Sequence, residues 1–265
     1  MKRYMAFFRS ELETAMAYRG DFFFSFLADF ILILVKLAVW SAVFRHRSTV
    51  AGFDFAQMMT YLFVSQTVTN IYAFKNDASR PISSKIRKGT IVFDLLRPVE
   101  FTKARLFENL GQTIVVAMFN LAFLLGCILL IPNVDLPASV ACAGLFVLSM
   151  ICGYVIMFCV CLLSGLLTFW TMNSWGMRNI RNAIIAFFSG SLVPIGALPE
   201  WMQGICNVLP FKSIIYTPTM IYMGQYDVRE ALIQISVQLF WAAFLWIAAR
   251  LLCGAALKRV QVNGG

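Results

Sequence analysis

Apolar runs of membrane-crossing length divide this chain, and that feature leaves few folds open. A helix rises about 1.5 Å per residue, so about 20 apolar residues cross a hydrocarbon core of about 30 Å. Six segments are read as spans: residues 22–44, 55–74, 110–131, 138–170, 183–198 and 231–252. The fourth is too long for one straight crossing and too short for two helices and a turn. A tilt, or a break near Gly153 or Gly165, absorbs the excess. The fifth is short and interrupted by Gly190, Pro194 and Gly196. The expected fold is all-α, a single polytopic transmembrane domain over residues 1–265. Only 13% of the residues are charged, about half the share usual in a soluble domain.

Charge orients the spans. The net charge of +9 would point to nucleic acid in a soluble protein, but in a membrane chain it marks the cytoplasmic loops. Of the 22 Lys and Arg residues, seventeen fall on one side of the six spans and four on the other, with Lys36 inside the first span. Both termini are therefore expected in the cytoplasm. Residues 1–21 are too charged for the apolar region of a signal peptide. On a helical wheel Met1, Tyr4, Met5, Phe8, Leu12, Ala15 and Met16 share one side, with Lys2, Arg3, Arg9 and Glu13 opposite. That pattern fits a helix lying in the headgroup plane; the alternative is packing on a soluble domain, and no soluble domain is visible in the sequence. The seven cysteines sit mostly in apolar runs, where they act as small hydrophobes. A Cys127–Cys142 bridge is left open.

The cytoplasmic loop 75–109 carries more local signals than a solvated linker needs. Ser79 is placed to cap a helix, Pro81 suits its first turn, and Gly89 suits the left-handed residue that ends it. Ile82 and Ile86 share a face, and Lys85, Arg87 and Lys88 fill the rest. An apolar tail, Thr90 to Leu96, follows and ends at Arg97-Pro98. A helix this short is marginal alone, so it must dock on something.

These residues carry a resemblance. Lys88-Gly89-Thr90-Ile91-Val92-Phe93-Asp94-Leu95-Leu96-Arg97-Pro98 resembles a cytosolic signature in one branch of the membrane subunits of type-2 ABC exporters. Leu198-Pro199-Glu200-Trp201-Met202, then Leu209-Pro210-Phe211, Tyr216-Thr217-Pro218 and Met223-Gly224 match a second region of that family. The resemblance implies a coupling helix in the loop, seated in a groove on a separate ATPase chain. Its contact residues would be Ile82, Lys85, Ile86, Arg87, Lys88 and Phe93. It further implies that the N-terminal helix touches that ATPase, and that residues 199–228 form short helices re-entering the outer leaflet. Two permeases, copies or homologues, would work with two ATPases in a bacterial cytoplasmic membrane.

What the chain lacks agrees with that division of labour. No phosphate-binding loop of the G-x-x-x-x-G-K-[ST] type occurs. ATP and magnesium are thus expected on the partner, with no cofactor, metal or nucleic acid on this chain and no catalytic residue of its own. His46 is the single histidine, which argues against histidine-dependent hydrolases and metalloenzymes.

Polar residues inside the spans are the remaining candidates. Asp29 and Lys36 lie seven apart on one face of span one, about 10 Å along the axis. Intramembrane charges face protein or water, so the pair is a candidate substrate or proton site; the alternative is structural, with Asp29 pairing with another helix and Lys36 bonding a neighbouring subunit or snorkelling. Gln66, Thr69 and Asn70 in span two share a face and either line a path or join helices. Pro194, Pro199, Trp201 and Pro210 mark broken backbone near the outer leaflet, a candidate gate. The expected function is export of a drug, lipid, peptide or glycolipid by alternating access. An ion-coupled secondary transporter would predict an internal repeat, and none is visible. A membrane scaffold or sensor would predict a large cytosolic or external domain, and the longest connection is about 35 residues.

Overall fold

Helices begin where the sequence supplies caps. Asp54 and Gln57 form a reciprocal capping box, with the Gln57 amide donating to Asp54 Oδ1 at 2.8 Å and the Asp54 amide to Gln57 Oε1 at 3.1 Å. Asp227 and Glu230 repeat the arrangement. Ser139 and Asn173 accept the Cys142 and Gly176 amides. The resulting order is α1 (Lys2–Ala17), α2 (Arg19–Phe44), α3 (Phe55–Ile71), α4 (Ser79–Arg87), α5 (Ile91–Leu95), α6 (Phe101–Leu130) and α7 (Val140–Leu166). Then come α8 (Thr168–Thr171), α9 (Ser174–Phe188), a 3-10 turn (Ile195–Ala197), α10 (Glu200–Val208), α11 (Tyr216–Tyr222) and α12 (Val228–Leu257). This computed structural model describes residues 2–17, 19–72, 77–95, 99–131, 134–171 and 173–257, without the side chains of 2, 3, 15, 17, 19–27, 29, 95 and 257. Among the described residues no strand forms beyond one Val50–Phe53 bridge.

Among the described residues three helices are long and apolar enough to cross a membrane: Phe101–Leu130, Val140–Thr171 and Val228–Ala256. Phe30–Phe44 is a shorter apolar helix segment. α3 is buried from Met58 to Ile71 on nearly every side, and packs against α2, α6 and α11. Its Thr60, Ser65, Thr67 and Thr69 hydroxyls bond carbonyls three or four residues back, which satisfies polar groups without a partner helix. The core centres on α3, α7 and α11, with Phe63, Val64, Ile156, Phe158, Leu162 and Ile214 inside. A second cluster at one end joins Trp40, Phe53, Tyr61, Ile195, Cys206 and Tyr216.

Several segments differ from the sequence expectation. The run over 138–170 continues unbroken through Gly153 and turns at Leu167, two residues after Gly165. The run over 183–198 is helical only to Phe188, and its helix starts far earlier, at Ser174, because Asn173 caps it. All seven cysteines are free, including Cys127 and Cys142. α1 packs along the first half of α6. The Glu100 amide donates to the Tyr4 hydroxyl at 3.1 Å, Tyr4 stacks on Phe107, and Gln112 Nε2 donates to Glu11. Tyr4, Phe8 and Leu12 face α6 or are partly covered, whereas Met5 and Met16 stay exposed. Only part of the apolar stripe thus remains for a headgroup plane.

The close approach depends on Gly111, where a Cβ would lie 2.5 Å from the Phe8 carbonyl. Overpacking of this kind costs about 1–3 kcal/mol. Gly111→Val is therefore expected to release α1 while leaving the rest folded. A Tyr4→Cys/Phe107→Cys disulfide should form readily in the parent and several-fold less in the Gly111→Val background. Equal cross-linking in both would show that α1 does not need this groove.

Candidate functional site

The loop after α3 is folded by Asp77. Its Oδ1 accepts the Ser79 amide at 2.9 Å and its carbonyl accepts the Arg80 amide at 3.0 Å, so Asp77 nucleates α4 and Ser79 becomes the first helical residue rather than the cap. The same carboxylate receives Arg181 from α9 in a two-pronged bond, Nη1 to Oδ1 at 3.0 Å and Nη2 to Oδ2 at 2.7 Å. Arg181 also donates to Ser79 Oγ, to Ser164 Oγ of α7 at 2.7 Å and to Asn182 Oδ1. Asp77 and Arg181 are each only 6% exposed. Burial alone would push the Asp77 carboxyl up; the hydrogen bonds and charge of Arg181 outweigh it and hold the group below its ordinary value.

Close packing completes the clamp. A Cβ at Gly165 of α7 would sit 2.9 Å from Ser79 Cα and 3.4 Å from Ile82 Cβ. Ser83 and Thr168 exchange a hydrogen bond at 3.0 Å. Gly89 closes α4 with φ +70°, as the sequence suggested. α5 is tied back in turn: Asp94 accepts Lys85 at 2.6 Å and Arg105 of α6 at 3.0 Å, and Arg105 also pairs with Glu108. A polar cavity of about 360 Å³ lies here, lined by Glu11, Arg80, Lys85, Arg105 and Glu108 among others.

This packing changes the reading of the docking residues. Ile82 is fully buried and Ile86 partly buried, both against the protein's own core. Lys85 is engaged with Asp94. The outer face carries Arg80, Arg87, Lys88 and Phe93, the last 69% exposed. The two isoleucines do share a face, as their spacing required, but that face points inward.

Lys36, Gln66 and Thr69 come together around a second cavity of about 160 Å³. Lys36 Nζ donates to Gln66 Oε1 at 2.8 Å and to the Ser191 carbonyl at 2.9 Å, and Gln66 Nε2 donates to Asn70 Oδ1 at 2.8 Å. Asn70 is buried behind Gln66 and is not part of the lining. The Asp29 side chain lies outside the described residues. The rest of the wall is largely apolar, with Leu32, Met157, Ile185, Leu192, Ile214 and Ile215.

The gate candidates differ in exposure. Pro194 and Pro210 are buried, while Pro199, at the N-cap of α10, and Trp201 are exposed. Gln203 Nε2 donates to the Leu198 carbonyl at 2.7 Å, pinning α10 to the preceding turn. Among the described residues no cluster of His, Cys, Asp or Glu is placed to hold a metal. The Asp77–Arg181 pair was missed from sequence because the partners lie 104 residues apart and each passes for an ordinary loop charge.

A family model described as ABC-2 family transporter protein matches residues 30–264. No curated protein matches the chain.

Breaking a buried pair by removing one partner costs about 3–5 kcal/mol. Arg181→Met and Asp77→Asn are each expected to lower the thermal midpoint sharply, and the double variant to cost less than the two singles summed. Because the folded carboxyl titrates below its ordinary value, the pair's contribution is complete above about pH 4 and is lost as pH falls through the lower folded value. Additive single effects in thermal unfolding of the detergent-purified protein would show that the pair is not coupled.

Proposed function

Because the chain belongs to the ABC-2 family of transporter proteins, we propose that it is the permease subunit of an ATP-driven exporter, crossing a bacterial cytoplasmic membrane six times with both termini inside. It works with separate ATPase chains, which carry ATP and magnesium, and with a second permease, a copy or a homologue. The side rich in Lys and Arg is the cytoplasmic one, and α4, α5, α1 and Arg250 gather there.

One observation carries this reading: a short basic helix held rigidly from within, whose outer face is left to a partner. α4 is marginal in length, yet Asp77, Arg181, Ser164 and Gly165 bind it to α7 and α9. A push on Arg80, Arg87, Lys88 and Phe93 then moves α4 as a body and is passed to α9. α9 carries Arg181 at its middle and the cavity residues Ile185 and Ala186 about one turn farther along, and the Ser191 carbonyl that holds Lys36 follows. In this scheme Phe93 is the apolar anchor, Arg87 and Lys88 steer the encounter, and Ile82 and Ile86 transmit force instead of docking. Lys36, Gln66 and Thr69 lie on the translocation path.

Tagged protein purified from its native membrane in mild detergent is expected to bring down an ATPase in comparable amount, with vanadate-sensitive activity. Truncating an aromatic anchor costs about 2 kcal/mol, about 30-fold in affinity. Phe93→Asp should thus lose most of the co-purified ATPase while the thermal midpoint of the chain stays put. Full recovery of ATPase by Phe93→Asp would remove Phe93 from the interface. An ATPase absent from the parent preparation would overturn the exporter reading in favour of transport driven by an ion gradient through Asp29 and Lys36.

A further inference from the structure

Gln238 of α12 is a fully buried polar side chain that neither site uses. It sits about 15 Å into α12, and Ser149 about 14 Å into α7, each about halfway through a crossing of about 30 Å. Gln238 Nε2 donates to the Ser213 carbonyl at 2.7 Å and to the Ser149 carbonyl at 3.3 Å. A carboxamide at this depth joins helices. Here it joins α12 and α7 to backbone that is not helical, the turn 209–215 between α10 and α11. Such backbone inside a membrane must be buried in protein or line a cavity, and this turn does both. Ser213, Ile214 and Ile215 are buried, and the two isoleucines form part of the wall around Lys36. The turn reaches α7 because Gly153 has no side chain. A Cβ there would lie 3.1 Å from the Ile214 carbonyl, 3.2 Å from the Ser213 carbonyl and 3.1 Å from the hydroxyl of Tyr72, another wall residue.

Two observations point to movement of this turn. At about 160 Å³ the cavity is smaller than the pockets of about 300–1,000 Å³ that enclose drug-sized molecules, so cargo of that size requires a wall to shift. The junction is also unevenly bonded. Gln238 Oε1 and Ser149 Oγ are buried, and neither has a protein partner among the described residues. The first is an acceptor and the second a donor, so they can serve each other once the carboxamide turns away from Ser213. The turn's own amides bond locally, Ser213 to the Pro210 carbonyl and Ile214 to the Phe211 carbonyl, and these bonds survive a movement of the turn as a unit. Resting on the reading of the Lys36 cavity as part of the translocation path, we propose that the 209–215 turn is a movable wall of that path and that Gln238 is its latch. Closed, Gln238 holds the Ser213 carbonyl against α7. Open, its carboxamide turns back along α7 and accepts the Ser149 hydroxyl, Ser213 is released, and Ile214 and Ile215 draw back to widen the cavity. Gln238 acts on the wall and is a positioning residue.

The test is hydrogen exchange of the full-length protein with its co-purified chains, in its own membrane lipids, read peptide by peptide by mass spectrometry. The bonded amides of Ser213, Ile214, Tyr216 and Thr217 report the turn. Without nucleotide, Gln238→Leu is expected to raise exchange over 209–217 about tenfold, the ratio that loss of one hydrogen bond produces. Ser149→Ala, which removes the partner of the open arrangement, should lower it. A contact that merely stabilises the fold predicts that both variants loosen the turn. A thermal midpoint is recorded for each variant. In the unaltered protein, ATP with vanadate should change exchange over 209–217 and leave 140–160 of α7 as it was, a comparison that stands even if a variant folds poorly. Equal exchange in Gln238→Leu and the parent, or faster exchange in Ser149→Ala, overturns the latch. A turn whose exchange ignores ATP and vanadate while the bound ATPase is active overturns the movable wall and leaves the exporter reading intact. If no ATPase co-purifies, the exporter reading falls, and the nucleotide-free comparison of the variants still decides the latch.

Discussion

The fold at the basic end depends on one buried ion pair. Removing Asp77 and Arg181 from water carries a penalty of several kcal/mol per ion, which attraction offsets only when geometry and hydrogen bonding are good. Here each guanidinium nitrogen meets an acceptor, and Asp77 Oδ1 also takes the Ser79 amide. The arrangement needs a planar fork, which lysine does not have. It joins the α3–α4 turn, the start of α4, the end of α7 and the first half of α9 in one network. A satisfied network of this kind adds definition more than net stability, and definition is what a nine-residue helix lacks on its own.

α9 carries that definition inward. From Arg181 to Phe188 it runs about 10 Å, and three residues later the Ser191 carbonyl meets Lys36. The Lys36–Gln66–Asn70 chain then continues into α3. A continuous series of hydrogen bonds and one rigid helix therefore connect the outer face of α4 with the wall of the cavity, the kind of contiguous path along which coupling between sites is carried.

Local features of this architecture were legible in the sequence and long-range ones were not. Pro81 in the first turn and Gly89 at the stop bound α4 correctly, because both act through their own backbone. The spacing of Ile82 and Ile86 showed that they share a face, but spacing does not say which body a face meets; the small Gly165 on α7 decided that. The start of α9 was hidden because Arg178 and Arg181 read as loop charges, while the Asn173 cap starts the helix ahead of them and the buried Asp77 holds Arg181 inside it. The stripe on α1 was visible, but its groove was not, since one glycine on α6 creates it. Gln66 and Asn70 stood out at i, i+4. Ser191 did not, because it contributes a carbonyl that any residue would supply.

The two sites differ in how their chemistry is distributed, and this bears on how such a protein changes. The clamp shares its bonds among Asp77, Arg181, Ser79 and Ser164, so a change at any one leaves a buried donor or acceptor unmet, at about 1–3 kcal/mol. Among the described residues the cavity has Lys36 as its charged lining residue, with apolar walls that tolerate volume-conserving exchange. The chemistry of the cavity is thus free to vary at a few positions, while the link to the outer face of α4 is held by groups that must change together.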